Sequence, residues 1–253
     1  MNNKLLELAE WSMKTAKSAG ADDCKVNISG ERFVEIGYRE RKPETIKEAS
    51  TKGLNIEIFK DGRYSSQSTS DLRKDALKDF ISNAVKMTKL LAEDPFRSLP
   101  DKKYIEKLPD IKLGIYDPAI KNITPEERHK LVKVIEDACL AKGGDKVISV
   151  TSSEYDSTFE SVMVTSKGFS GSSEGTVFYA VASMTAKDEG DRRPNGYDYA
   201  VEMKKSDMPD PVKIGENAAK RTLDLFGGKK IKSEKLPIII ENRVVSRVLN
   251  GFG

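Results

Sequence analysis

The chain has 253 residues, 38% of them hydrophobic and 33% charged, and its 43 Lys and Arg against 40 Asp and Glu leave a net charge of +3. That length suffices for one large core or two smaller ones, and so small a basic excess leaves no footprint for nucleic acid. No apolar run approaches the roughly 20 residues that cross a bilayer. Glu7 and Glu10 interrupt the N-terminal apolar pattern where a signal peptide needs continuity, so a cytoplasmic protein is expected. Two cysteines, Cys24 and Cys139, suit that compartment. Parity alone would allow them to pair; Cys139 lies on an apolar helix stripe and reads as a buried small hydrophobe.

The first helix spans about Asn3 to Ser18, with Leu5, Leu6, Leu8, Ala9 and Met13 mostly on one side, and Gly20 ends it. The period then changes to two. Val26 and Ile28 alternate, then Phe33, Ile36 and Tyr38 with a slip near Val34, then Thr45, Ile46 and Ala49, then Leu54, Ile56 and Ile58. Lys60-Asp61-Gly62-Arg63 is the clearest hairpin signal, because Asp-Gly supplies the positive φ of a tight primed turn. Tyr64 to Thr69 returns, giving an antiparallel meander of four or five strands. A second helix starts after Ser70 as N-cap and carries an apolar face from Leu72 to Leu91, closed by Pro95.

Residues 94–123 hold Pro95, Pro100, Pro109 and Pro118 with little periodicity and read as a linker. A third helix opens at Thr124-Pro125-Glu126-Glu127: Thr124 caps it, Pro125 takes the first helical position, and Glu127 completes a capping box. Gly143-Gly144 ends it. Strands are expected at Val147–Thr151, Phe159–Thr165, Thr176–Ala186 and Tyr197–Met203, with a turn at Gly168–Gly171 and a polar loop at Asp188–Gly196. A fourth helix begins at Asp210-Pro211 and runs to Gly227-Gly228. Lys235 to Glu241 reads as a short strand, and Val244, Val245, Val248, Leu249 and Phe252 as a helix stripe.

The expected fold class is therefore α+β. Two helix–antiparallel sheet–helix units occupy 1–93 and 124–228, joined by the linker 94–123, and 229–253 reads as the start of a truncated C-terminal domain. The units share an element order without a residue-level repeat.

Chemistry is sparse. The lone histidine, His129, sits between Arg128 and Lys130 with no second histidine three or four residues away. A zinc helix of the HExxH type needs two imidazoles and a carboxylate on one face, so a surface histidine is the reading. Gly168-Phe169-Ser170-Gly171 joins strand to strand and is a hairpin turn, not the strand-to-helix elbow of a serine hydrolase. Asp188, Glu189 and Asp191 lack the frame of a calcium loop. Lys229, Lys230, Lys232 and Lys235 read as a solvated segment, and Trp11, Tyr179, Tyr197 and Tyr199 as core aromatics. No carboxylate pair is marked as a general acid and base. The residues alone assign no catalytic, cofactor-binding or metal-binding position.

An ordered set of segments resembles the TldD/PmbA family. It includes Gly20-Ala21-Asp22-Asp23, Asp61-Gly62-Arg63, Ser68-Thr69-Ser70-Asp71-Leu72, Glu93-Asp94-Pro95-Phe96, Tyr116-Asp117-Pro118, Thr124-Pro125-Glu126-Glu127-Arg128 and Gly215-Glu216-Asn217-Ala218-Ala219-Lys220-Arg221. Lys229 to Ile240 is similar to the entry to that family's C-terminal domain. The resemblance implies a cytosolic heterodimeric zinc protease of TldD and TldE/PmbA subunits acting on unfolded or small peptides; the older family name is modulator of DNA gyrase. TldD-like members carry a HExxxH zinc motif on a helix, and here Asn250 and Gly251 fall at its first His and its Glu. Asparagine is a poor zinc ligand and glycine offers no base. The resemblance thus implies a TldE/PmbA-like subunit with no cofactor of its own, zinc belonging to a TldD-like partner. Its expected partners are that subunit or a second copy and an unfolded peptide, with neither nucleic acid nor membrane. The alternative is a peptide-binding scaffold acting as a homo-oligomer; a hydrolase using His129 ranks last.

Overall fold

The computed structural model describes residues 3–104 and 113–251. The first helix, α1 (Asn3–Ser18), leads into strands β1 (Asp23–Arg39), β2 (Lys42–Lys60) and β3 (Arg63–Thr69) and helix α2 (Lys74–Thr88). After the intervening segment come α3 (Pro125–Gly143), β4 (Val147–Thr165), β5 (Ser170–Ala186), β6 (Asn195–Glu202), α4 (Pro211–Leu223) and α5 (Asn242–Leu249). The class is α+β. The strands of both helix–strand–helix units join into one antiparallel sheet of order β3-β2-β1-β4-β5-β6, with the first strand of each unit at the centre.

Alternation along the two central strands decides which helix covers what. Even-numbered residues of β1 face the helices: Cys24, Val26 and Ile28 enter a core with α1 and α2. Val34, Ile36 and Tyr38, further along, meet Val132 of α3. On β4 the order is reversed. Val162 and Val164 join the first core, and Val150 joins a second with Ile135, Cys139, Ala182, Met184, Ile214 and Ala218. Both helix pairs therefore lie on one face, over opposite ends of β1 and β4. Among the described residues no helix covers the other face, an arrangement open to antiparallel sheets.

The structure has three strands where the alternation predicts four or five, and three again in the second half. Each long strand runs past its helix cover. Residues 42–53 of β2 keep the ladder with β1 yet are exposed or half-buried, so their hydrophobic signal fades while the backbone pairing continues. The slip expected near Val34 is Phe33 standing on the outer face of an uninterrupted strand.

Turn chemistry explains one hairpin and not the other. Asp61 (φ 52°) and Gly62 (φ 70°) make the predicted primed turn. The β1–β2 turn places Glu40 (φ 52°) and Arg41 (φ 60°) in the left-handed region, where neither residue is favoured. Helix α3 holds it there: Arg41 N donates to Glu136 Oε1 at 3.0 Å, and Arg41 Nε to Asp137 Oδ1 at 3.1 Å.

Caps divide similarly. Thr124 Oγ1 accepts from Glu127 N at 3.2 Å, and Asp210 Oδ1 accepts from Val212 N at 3.0 Å, each followed by Pro at the first helical position. Ser70 does not cap α2. Asp71 folds back instead, its Oδ1 accepting from Arg73 N at 3.1 Å, and the helix begins at Lys74 without a side-chain cap. It ends at Thr88, well before Pro95, leaving Leu90 exposed.

The segment expected as a linker is stitched down at both described ends. Asp94 N donates to Gly62 O, Thr176 N to Ile115 O, and Asp117 N to Thr176 Oγ1. Pro109 and Phe252 lie outside the described residues. Lys235–Glu241 is not a strand: residues 228–241 have neither helix nor ladder, because no described strand pairs with them. Its end is nevertheless anchored. Arg243 Nη1 meets Asp198 Oδ1 at 2.7 Å, Arg221 Nη2 meets Glu241 Oε1 at 3.0 Å, and Asn217 donates to Asp198 Oδ2 at 3.1 Å. Among the described residues no helix is long and apolar enough to cross a membrane.

Helices α3 and α4 touch closely at Gly215, where a Cβ would sit 2.2 Å from Ile135 O and 2.9 Å from Cys139 N. Neither backbone atom can yield without moving a helix. Gly215→Ala is expected to destabilise the fold by about 1–3 kcal/mol through overpacking, read as a lowered urea midpoint with an unchanged slope.

Candidate functional site

The Thr124 cap and Pro125 set the start of α3 so that Arg128, one turn in, points at β4. There the inner face turns polar. Ser152, Glu154 and Asp156 succeed Val150 at spacing two and are all buried. Asp156 takes a two-point contact from Arg128: Nε donates to Oδ2 at 2.5 Å and Nη2 to Oδ1 at 2.9 Å. Arg128 Nη1 donates to Ile123 O at 3.0 Å. A paired, hydrogen-bonded buried charge is the tolerable kind.

Glu154 is left over. Its Oε1 lies 3.7 Å from Arg128 Nε, whose single hydrogen already serves Asp156, and that oxygen has no hydrogen-bond partner. The Glu154 side chain is 5% exposed. Burial first, and the Asp156 charge second, push its carboxyl up to about 8, with Arg128 opposing. Glu154 forms part of the wall of a cleft of ≈ 430 Å³ between α3, the sheet and the start of α4, whose apolar walls include Leu131, Phe178, Met208, Pro209 and Ile214. At its rim Lys205 Nζ meets Glu127 Oε2 at 3.1 Å. A cleft with apolar walls and a buried group of displaced pKa has the character of a binding site.

The residues weighed from the sequence lie elsewhere or serve structure. His129 Nδ1 is 2.9 Å from Tyr38 Oη, and the pair ties α3 to β1. Gly168 (φ 102°) belongs to the β4–β5 turn, as predicted. Asp188 accepts from Glu189 N and Gly227 N, holding its loop. Cys24 and Cys139 are both free and buried, and burial pushes their thiols up to about 11 and about 12, the direction of inert side chains. Tyr179, Tyr197 and Tyr199 are not core residues. Their odd positions on β5 and β6 put them on the uncovered face, where Tyr179 and Tyr199 rings stand 6.0 Å apart and Tyr197 and Tyr199 6.3 Å apart. Among the described residues no group of three or more His, Cys, Asp or Glu is placed to hold a metal. Glu154 and Asp156 went unmarked in the sequence because 152–158 is polar; the signal was a strand's alternation continuing through acidic residues.

The two helix–strand–helix units each match a family model. Residues 24–88 match PmbA/TldA metallopeptidase domain 1, and residues 118–226 match the PmbA/TldA metallopeptidase central domain. The chain belongs to the PmbA/TldD family. It is 25% identical over 246 residues to Metalloprotease PmbA of Escherichia coli O157:H7, covering 96% of this chain and 53% of that protein. It is 23% identical to the PmbA homolog of Haemophilus influenzae, covering 98% and 54%. The chain thus spans about half the length of these curated relatives. A Bacteroides thetaiotaomicron protein named for modulation of DNA gyrase superposes with a TM-score of 0.90 at 29% identity, over 100% of this chain and 56% of that one. TldE from Thermococcus kodakarensis shares the fold, with a TM-score of 0.69 at 18% identity over 85% of this chain and 47% of that one.

Glu154 gives a pH signature. Between the ordinary glutamate value and about 8 the folded state holds a proton that the unfolded chain has released, so stability falls as pH rises through that window. Glu154→Gln removes this dependence. The melting temperature of the variant, relative to the wild type, is expected to rise steadily from pH 5 to pH 9; a constant difference would contradict the assignment.

Proposed function

We propose that this chain is the metal-free, PmbA/TldE-type part of a zinc-dependent peptidase complex that processes unfolded peptides in the cytoplasm, zinc being held by a TldD-like subunit. One observation carries the reading. Where the resemblance puts the HExxxH motif, α5 ends in Val248-Leu249 and passes to Asn250 at its C-cap and Gly251 in the following turn. An amide and a bare backbone do not fit a zinc site: neither offers an imidazole or a carboxylate. No step of hydrolysis is therefore assigned to this chain's residues.

The uncovered sheet face supports a paired arrangement. It carries a band of aromatic and hydroxyl side chains across the central strands. Phe33 stacks on Tyr155 with centroids 5.3 Å apart, and Tyr197 and Val201 stand exposed toward the β6 edge. Tyrosine-rich, half-apolar surfaces of this kind suit contact with another protein chain.

The test is reconstitution with the full-length protein. Tagged protein co-expressed with a TldD-like subunit is expected to retain it through purification. The pair should cleave an unfolded peptide, lose activity to a chelator and recover it with zinc. A stable homo-oligomer that recruits no such subunit, or a pair no more active than the TldD-like subunit alone, would overturn the proposal.

A further inference from the structure

The sheet face that no described helix covers divides in two by charge. Odd-numbered residues of β1, β4, β5 and β6 point to it, as do those of β2 from Thr45 onward. On β1 and β2 they include Lys25, Glu31, Glu35, Lys47 and Glu57. From Ser149 to Thr165 on β4, Gly171 to Thr185 on β5 and Asn195 to Val201 on β6 none is charged, in a chain of which 33% of residues are. A strand face left to water would carry its share of charge, as the β1–β2 half does. The uncharged half is furnished instead with serine and threonine around a line of tyrosines. Tyr155 lies opposite Tyr179 in register, and Tyr199 and Tyr197 continue the line toward the β6 edge. Tyrosine for rigid contact area and serine for adaptable hydrogen bonding is the composition of protein-binding surfaces, and loss of charge marks their buried centre.

The strand edges show the same asymmetry. Residues 42–53 of β2 run beyond β3 with an unpaired edge, which Lys42, Pro43, Lys47 and Lys52 guard against other strands. The opposite edge of the sheet, β6, holds neither lysine nor proline. Ala186 N donates to Pro194 O, so even-numbered residues of β6 turn their backbone groups to β5, while Tyr197 and Val201 turn theirs outward. Arg243 crosses this edge between them, at Asp198 and Tyr199. Face and edge together leave the β4–β6 side without the devices that keep a surface in water.

Resting on the paired-subunit reading, we propose that the β4–β6 half of this face is where the TldD-like subunit sits, and that it does so with an uncharged surface of its own. Charge sets the partner's chemistry. The hydroxyls of Ser, Thr and Tyr both donate and accept, so a neutral polar surface satisfies them. A charged one would lose its water with no counter-charge opposite. Size agrees with a stable contact. At a strand spacing of ~4.8 Å and a rise of ~3.3 Å per residue, the three strands span on the order of 600 Å² in flat projection. Side-chain relief brings that toward the roughly 800 Å² per partner of a standard protein–protein interface.

Hydroxyl-radical footprinting of the full-length wild-type protein, read by mass spectrometry, tests this. Tyr197, 41% exposed, and Tyr179 are expected to be labelled in the protein alone and to lose that labelling when the TldD-like subunit is added. In a second measurement Val181→Lys, which sets a charge between Ser153 and Tyr199 on the uncharged half, is expected to weaken the complex by about tenfold or more. Thr51→Lys, opposite Glu31 on the charged half, leaves it unchanged. A subunit that binds and supports peptide cleavage while both tyrosines stay labelled overturns this assignment and leaves the paired reading standing; failure of any complex to form removes both. Tyrosines already protected in the protein alone would give the face to the rest of the chain if it is a monomer, or to a second copy if it is an oligomer, and either result overturns the proposal. The footprint stands whether or not the lysine variants fold.

Discussion

The antiparallel pairing of β1 with β4 is the constraint on which the rest of the molecule depends. It runs from Lys25 opposite Thr165 to Arg39 opposite Thr151, and these two strands alone lie beneath both helix pairs. With β1 held in place, a slip of one residue in this register would turn Val150 and Val162 of β4 away from their helices, because strand side chains alternate with a period of two. The two units therefore cannot dock independently of one another. They share a seam, and the order of strands outward from it is the same on both sides.

That seam also creates the polar pocket. Beneath α1 and α2 the inner face of β4 is valine, at Val162 and Val164. Beneath α3 it is Ser152, Glu154 and Asp156. Ser152 Oγ donates to Val132 O, and Asp156 is matched by Arg128, so most of this polarity is used in holding α3. Buried ion pairs contribute little net stability, but removing one partner is costly. The pair therefore fixes where α3 sits more than how tightly it holds. Glu154 remains outside this accounting, with burial and a neighbouring carboxylate both opposing its charge.

The opposite face of the sheet follows another logic. Its residues pair across strands, as in Lys25 with Glu57, Asn27 with Ser161 and Phe33 with Tyr155. Phe159 fills the space over Gly175, where a Cβ would meet its ring at 2.3 Å. Such a surface is ordered by its own cross-strand pairs without a described helix above it. The C-terminal segment behaves comparably: ion pairs among Asp198, Arg221, Glu241 and Arg243 hold it at the start of α5, while Ile238, Ile239 and Leu249 stay exposed.

Local chemistry was legible in the amino-acid order. The Asp61-Gly62 turn, the Thr124-Pro125 and Asp210-Pro211 helix starts and the apolar stripes of α1 and α3 each depend on residues a few positions apart, and each stands where the sequence puts it; the stripes of α2 and α4 run past the helices, which end at Thr88 and Leu223. The family resemblance and the α+β class were legible too. The merging of two meanders into one sheet was not legible, because the polar middle of β4 masks its length and pairing across more than a hundred residues leaves no local trace. Nor was the Glu40-Arg41 turn, whose positive φ values are sustained by Glu136 on a helix nearly a hundred positions away. Glu154 and Asp156 are the sharpest case. In sequence they are two acids among 40 acidic residues. Only the tertiary structure, by closing α3 and α4 over them, removed the water that would have made them ordinary.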